Sequence, residues 1–150
     1  MSDRNTIAQN YFKQGYNCAQ SVVMAFCDLT GLTEEESARL ASSFGGGLGR
    51  MREVCGAVSG MAIVVGILYG YADPRDAAAK QAHYALVQEL AGRFREENGS
   101  IVCRELLGDR SIPRPTPDPR TEEYYRKRPC PELVGMAADI LDAEIRHRGG

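Results

Sequence analysis

The chain has 150 residues, of which 43% are hydrophobic, and this is enough to build the core of one globular domain and to exclude full disorder. It carries 18 Lys and Arg against 20 Asp and Glu, a formal net charge of -2, and no basic run that could follow a phosphate backbone. Composition and charge therefore argue against a nucleic-acid-binding protein.

The first residues lack the basic start, the apolar stretch and the small-residue cleavage site of a secretory signal. We therefore expect a cytoplasmic protein whose thiols are kept reduced. An odd number of cysteines in such a compartment argues against structural disulfides and for metal or thiol chemistry. The five are Cys18, Cys27, Cys55, Cys103 and Cys130.

Apolar residues at helical spacing predict three helices in the first third of the chain. They cover residues 4–14, 17–31 and 33–44. Asn17 is a favourable N-cap for the second helix, of which Cys18 is the first residue. Thr33 and Glu36 form a capping box at the start of the third helix.

A glycine-rich loop, GGGLGR at residues 45–50, follows the third helix, because each glycine would cost a helix about 1 kcal/mol relative to alanine. The loop lacks the patterns of dinucleotide-binding and phosphate-binding loops. Its simpler interpretation is a helix stop with a tight turn. Its functional interpretation is a nest of N–H groups, backed by Arg50 and Arg52, that faces an anionic ligand or cluster. In that case the cofactor-binding residues are Gly46, Gly47, Gly49 and Arg50.

Residues 54–72 contain no charged residue and predict a helix that is apolar all round. Such a helix either crosses a membrane or forms the centre of a core, and its glycines and the amphipathic helices elsewhere favour the core. The glycines form two pairs four residues apart, Gly56 with Gly60 and Gly66 with Gly70. Each pair predicts a face cleared for close helix packing. The alternative use of Gly56 is to leave room for a cofactor beside Cys55.

The second half of the chain predicts a long amphipathic helix over residues 75–97, a short helical turn over 103–107 and a last helix that starts at Pro131. Alternating prolines predict an extended surface loop at 113–119. No strand is predicted. The expected fold class is therefore all-α, with one helical domain over residues 1–150 packed around the central apolar helix.

Four of the five cysteines fall in the first turn of a predicted helix: Cys18, Cys55, Cys103 and Cys130. The free N–H groups and partial positive charge at a helix start stabilise a thiolate and lower its pKa. We therefore expect these four to be alkylated faster than Cys27 near neutral pH. Cys27 is predicted to lie in mid-helix and to point away from Cys18. The alternative is that all are inert buried hydrophobes.

The cysteines stand in a recognisable set of motifs: NCAQSV at Cys18, the FGGGLGR loop, CGAxxG from Cys55, CREL at Cys103, and Cys130 before the last helix. Together they resemble the C-GCAxxG-C-C family of redox-active proteins, over about residues 10–140. The resemblance implies a small helical bacterial protein that has redox activity or holds an iron–sulfur cluster. It also implies a partner that is an oxidoreductase or a transporter-associated protein, and it leaves out Cys27.

Three functions compete at this point, and the sequence leaves open whether the protein is an enzyme. In the preferred one, Cys18, Cys55, Cys103 and Cys130 ligate an iron–sulfur cluster for electron transfer. In the second, the same residues are catalytic in thiol/disulfide exchange. In the third, they bind a structural zinc ion in a helical module without redox activity. A second copy of the chain is a further candidate partner.

Overall fold

A computed structural model describes residues 2–108 and 113–149, and within them every regular element is a helix. The helices are α1 (Asp3–Lys13), α2 (Cys18–Met24), α3 (Cys27–Thr30), α4 (Glu34–Ala41), α5 (Gly56–Tyr69), α6 (Ala77–Asn98), α7 (Cys103–Leu107), α8 (Glu122–Lys127) and α9 (Cys130–His147). A 3-10 turn at Ser42–Phe44 follows α4. The all-α prediction is confirmed.

Two helices, α2 and α5, form the centre of the core. Most of α2 is buried, including Val22, Val23 and Met24. The first three turns of α5 are also buried, but at its C-terminal end Ile67 is 40% exposed. Around this pair, α1 packs against α9 and α2, while α6 covers α5 and α9. The predicted central helix therefore shares the centre with α2. In the part of the chain that the structure describes, no helix has the length and apolarity needed to cross a membrane.

Glycines in α5 let its backbone approach α2, as the first glycine pair predicts. A Cβ atom added at Gly60 would lie 2.9 Å from Cβ of Val22 and 3.1 Å from the carbonyl oxygen of Ala19. One added at Gly56 would lie 3.2 Å from Cβ of Cys18. These separations are shorter than van der Waals contact, so a larger side chain at either position would push the two helices apart.

The second glycine pair does not pack against another helix, and that prediction is wrong. A Cβ atom at Gly66 would meet nothing within 4 Å. Gly70 follows the last residue of α5, and its neighbour is the carbonyl of Gly66 in the same helix. Gly70 ends the helix and does not clear a packing face.

Two predicted helices differ most from the helices in the structure. The predicted 17–31 helix is interrupted at Ala25 and Phe26, and the Phe26 side chain at this break is fully buried. The predicted 54–72 helix starts only at Gly56, because Val54 forms an isolated antiparallel β-bridge with Val102.

Helix α8 was not predicted. Its N-cap is Thr121, whose side chain accepts a hydrogen bond from the backbone N–H of Tyr124. Glu122 and Glu123 fill the first turn, where the helix dipole favours negative charge. The remaining loop, residues 113–120, contains no helix and has no strand, as its prolines predict.

Candidate functional site

A cavity of about 450 Å³ lies where the N-terminal ends of α2, α5, α7 and α9 meet. Its wall contains four of the cysteines. Cys18 is the first residue of α2, Cys55 caps α5, Cys103 begins α7 and Cys130 begins α9. Cys55, Cys103 and Cys130 are 4%, 8% and 9% exposed, and all five cysteines of the chain are free thiols. The fold thus brings together thiols that are far apart in sequence.

Cys27 lies outside the cavity wall, but the prediction that it lies in mid-helix is wrong. It does not lie in mid-helix, because the break at Ala25 and Phe26 makes it the first residue of α3. All five cysteines therefore stand at the start of a helix, and this position alone does not distinguish the cavity thiols. What separates Cys27 is that its helix, α3, contributes no residue to the cavity wall.

Cys18 and Cys130 both line the cavity, and each thiol shifts the pKa of the other. The Cys18 thiol lowers the pKa of Cys130 to about 7, and the positive charges of Arg128, Arg120 and Arg52 act in the same direction against the effect of burial. Cys130, together with burial, raises the pKa of Cys18 well above its ordinary value. The first of the two thiols to ionise is therefore that of Cys130.

The other two cavity thiols stay protonated near neutral pH. Burial raises the pKa of Cys55 to about 12, although the N–H groups of Ala57 and Val58 at the start of α5 act to lower it. Burial also raises the pKa of Cys103, although Arg52 donates a hydrogen bond to its sulfur over 3.7 Å. The prediction that helix N-termini lower the pKa of all four thiols is thus wrong for Cys18, Cys55 and Cys103. Loss of hydration outweighs the partial charge of a helix end.

The residues of the glycine-rich loop from Gly46 to Arg50 have positive φ angles, in the left-handed region of backbone conformation. Its φ angles are 65° at Gly46, 76° at Gly47, 69° at Leu48, 54° at Gly49 and 64° at Arg50. The N–H groups of residues 48–53 all donate to carbonyl groups within residues 43–48. The predicted nest is therefore wrong for Leu48 and Gly49, whose N–H groups are used inside the loop.

The left-handed turns of the loop do not form the whole predicted nest of N–H groups. They bring the loop residues into the cavity wall. The wall includes Gly46, Gly47, Gly49, Arg50 and, from α5, Gly56. At Gly47 an added Cβ atom would lie 2.7 Å from Cβ of Cys103. Glycine at this position thus allows the loop to pass directly beside the Cys103 side chain.

One carboxylate, Asp118, lies among arginines at the cavity wall, and it is the only acidic residue among the described lining residues. Its Oδ2 accepts a hydrogen bond from Nη2 of Arg128 at 2.6 Å and lies 3.4 Å from Nη2 of Arg50 and 3.9 Å from Nη2 of Arg52. Burial acts to raise the pKa of Asp118, but the hydrogen bond from Arg128 and the charge of Arg50 hold it below its ordinary value.

Arg120 brings a further positive charge to the wall. Its guanidinium donates to the carbonyl oxygens of Phe12 and Tyr16, each at 3.0 Å. It also lies over the rings of Phe12 and Tyr124, at 4.2 and 5.0 Å from their centroids. The described wall therefore carries four arginines and one carboxylate. The lining arginines are Arg50, Arg52, Arg120 and Arg128.

Sequence reasoning missed the part of the wall that comes from the proline-rich loop and α8. It named Arg50 and Arg52 but not Asp118, Arg120 or Arg128. The available signal was the concentration of arginines immediately before Cys130.

The arrangement of the thiols bears differently on the two metal hypotheses. Among the described residues, no three His, Cys, Asp or Glu side chains lie close enough together to hold one metal ion. The thiols are therefore not arranged as a closed four-ligand zinc site. An iron–sulfur cluster is larger than a single ion, and four cysteine sulfurs around one cavity are the donor set that it requires.

Comparison with known proteins adds one finding. A family model described as "Putative redox-active protein (C_GCAxxG_C_C)" matches residues 16–144. Neither the curated proteins nor the solved structures give a significant match. The matched span includes the four cavity cysteines, the glycine-rich loop and the arginine cluster. Because the match covers most of the chain, this protein belongs to the C_GCAxxG_C_C family of redox-active proteins.

Proposed function

We propose that this protein is a cytoplasmic thiol oxidoreductase in which Cys130 is the attacking thiolate and Cys18 is the resolving thiol. The observation that carries the proposal is that these two cysteines line one cavity rich in arginine, where the pKa of Cys130 is lowered. A thiol attacks disulfides best when its pKa lies near the ambient pH, and that of Cys130 is about 7.

The proposed reaction transfers two electrons from the cysteine pair to a disulfide. The Cys130 thiolate attacks one sulfur of the substrate, forms a mixed disulfide and expels the other half as a thiolate, which takes up the proton of Cys18. The Cys18 thiolate then attacks the Cys130 sulfur and releases the second half as a thiolate. The products are a Cys18–Cys130 disulfide, one thiol and one thiolate, so that charge and protons balance. The reverse sequence reduces the protein disulfide.

Two arginines support the first step. Arg128 and Arg52 stabilise negative charge at Cys130, and Arg52 also donates to the sulfur of Cys103. Cys103 and Cys55 remain thiols near neutral pH because burial raises the pKa of each. They therefore line the cavity without competing with Cys130 as the first nucleophile.

A second candidate function is supported by the donor set alone. Cys18, Cys55, Cys103 and Cys130 line one cavity and would be the ligands of an iron–sulfur cluster. Such a cluster would supply one-electron transfer. The arginines in the wall would offset its negative charge. This candidate predicts iron, inorganic sulfide and visible absorption in anaerobically purified protein, and those findings together would contradict the dithiol proposal.

The alkylation rate of each cysteine across a pH series tests the proposed nucleophile. Cys130 carries a thiolate above its pKa of about 7, so we expect its reaction with iodoacetamide to rise through that pH and then level off. Cys55, whose pKa is raised to about 12, should stay unmodified over the same range. Mass spectrometry of digested protein reads each residue separately.

The matched control for this experiment uses two arginines. Arg128→Gln removes a positive charge beside Cys130 and should move its midpoint to higher pH. Arg104→Gln removes an exposed arginine that pairs with Glu53 outside the cavity and should leave the midpoint in place. A Cys130 midpoint near the ordinary cysteine value of about 8.5 in the unmodified protein would contradict the proposal.

A further inference from the structure

The positive charge of the cavity wall indicates which class of disulfide the proposed reaction uses. This inference rests on the proposed function. We propose that the cavity takes a small disulfide that carries carboxylate groups, and that Asp118 occupies the position of a substrate carboxylate until the substrate displaces it. The occupant is thus a low-molecular-weight anionic disulfide.

The first support is the way Asp118 is bound. Arg128, Arg50 and Arg52 converge on a single carboxylate oxygen, at 2.6, 3.4 and 3.9 Å. The side chains of these arginines are 11%, 17% and 4% exposed, so their charges are poorly hydrated. Guanidinium groups match carboxylates in shape as well as charge. The cluster is therefore built to bind a carboxylate.

The second support is where this carboxylate comes from. Asp118 lies in the 113–120 loop, which contains no helix and contributes Pro115 and Pro117 to the cavity wall. Withdrawal of Asp118 would break ion pairs without opening a helix of the core. A free carboxylate that enters the cavity could therefore replace Asp118 at the same arginines.

The third support is that two of the arginines that hold Asp118 also act on cavity sulfurs. Arg52 lies 3.9 Å from Asp118 and donates to the sulfur of Cys103 over 3.7 Å. Arg128 both holds Asp118 and lowers the pKa of Cys130. A molecule whose carboxylate lies a few bonds from its disulfide can thus bind the arginines and present a sulfur to Cys130.

The size of the cavity favours a small molecule over a protein disulfide. Its volume of about 450 Å³ lies in the range typical of small-molecule sites. Asp118 and two prolines form part of its wall. We therefore test small disulfides that differ in charge but share one reactive bond.

The experiment compares dithiodipropionate, hydroxyethyl disulfide and cystamine, which are anionic, neutral and cationic. Reduced protein is mixed with each, and the formation of the Cys18–Cys130 disulfide is followed by quenching and mass spectrometry. We expect the anion to react about tenfold faster than the neutral compound, with cystamine slowest. High salt should reduce these differences, because it screens the charges. Equal rates for the three compounds would overturn the inference and leave the proposed function intact.

Variants at the acidic position sharpen the test. Asp118→Asn removes the competing carboxylate, so the ratio of the anionic to the neutral rate should rise about threefold or more. Arg50→Gln should lower this ratio. Asp73→Asn removes an exposed carboxylate that pairs with Arg75, and the ratio should stay at its original value. A ratio that falls in Asp118→Asn would contradict displacement.

A binding measurement separates failure of the inference from failure of the proposed function. The Cys18→Ser, Cys130→Ser double variant has no reactive pair, so titration calorimetry with dithiodipropionate reports binding alone. Binding that is weakened by Arg50→Gln supports the anion site even if no disulfide forms in the unmodified protein. No binding beyond that of hydroxyethyl disulfide would overturn the anion site, whatever the redox result.

Discussion

Cys130→Ser is expected to slow disulfide reduction by at least about thousandfold, since a serine hydroxyl does not ionise near neutral pH and is a poor nucleophile toward sulfur. Cys130 is the one cavity cysteine whose pKa is lowered. None of the other cavity thiols forms a comparable thiolate, because Cys130 and burial raise the pKa of Cys18 and burial raises the pKa of Cys55 and Cys103. The measurement is the rate at which dithiodipropionate is reduced by pre-reduced protein.

Cys18→Ser should give a different result, because it removes only the second step. The serine hydroxyl can still donate a hydrogen bond to Cys130, so the first attack should proceed and the mixed disulfide should accumulate. Mass spectrometry would detect one mercaptopropionate attached to Cys130. Cys27→Ser is the matched control and should react like the unmodified protein, because Cys27 lies outside the cavity wall. Full activity of Cys130→Ser would assign the attack to another thiol.

Gly60→Leu should have the largest effect on stability. A Cβ atom there would lie 2.9 Å from Cβ of Val22 and 3.1 Å from the carbonyl oxygen of Ala19, and leucine adds three further carbons. Overpacking of this kind costs about 3 kcal/mol, which corresponds to a fall in Tm of about 10 °C for a domain of this size. Thermal unfolding followed by circular dichroism measures it.

Gly66→Leu provides the control on the same helix. A Cβ atom at Gly66 meets nothing within 4 Å, so this substitution should raise the free energy of unfolding by less than about 1 kcal/mol through helix propensity. An equal fall in the free energy of unfolding of both variants would mean that loss of a glycine, and not the close approach of α5 to α2, explains the effect.

Much of the fold could be predicted from sequence because its signals are local. Asn17 and Gln20 form the capping box that starts α2, and Thr33 and Glu36 form the one that starts α4. Helix α7 has the predicted bounds. Side-chain caps and apolar spacing depend on residues within one or two turns, so a single sequence contains this information.

The features that were predicted wrongly or missed depend on tertiary contacts. The pKa of Cys55 follows from burial by other helices and not from its place at the start of α5. The break before Cys27 accompanies burial of Phe26. The arginine cluster requires Asp118 to reach Arg50 and Arg52 across the fold. No local pattern encodes these distances, whereas the four cysteines could be selected from their motifs.

The cavity joins Cys18, near the start of the chain, to Cys130 in the last helix. During synthesis the N-terminal segments emerge first, so α2 and its cysteine leave the ribosome long before α9 exists. Cys18 and Cys130 can come together only after α9 has been synthesised and docks on α1 and α2. A chain stalled before residue 120 would carry Cys18 without Cys130, Arg120 and Arg128. The fold therefore delays the pairing of these two thiols until α9 has emerged.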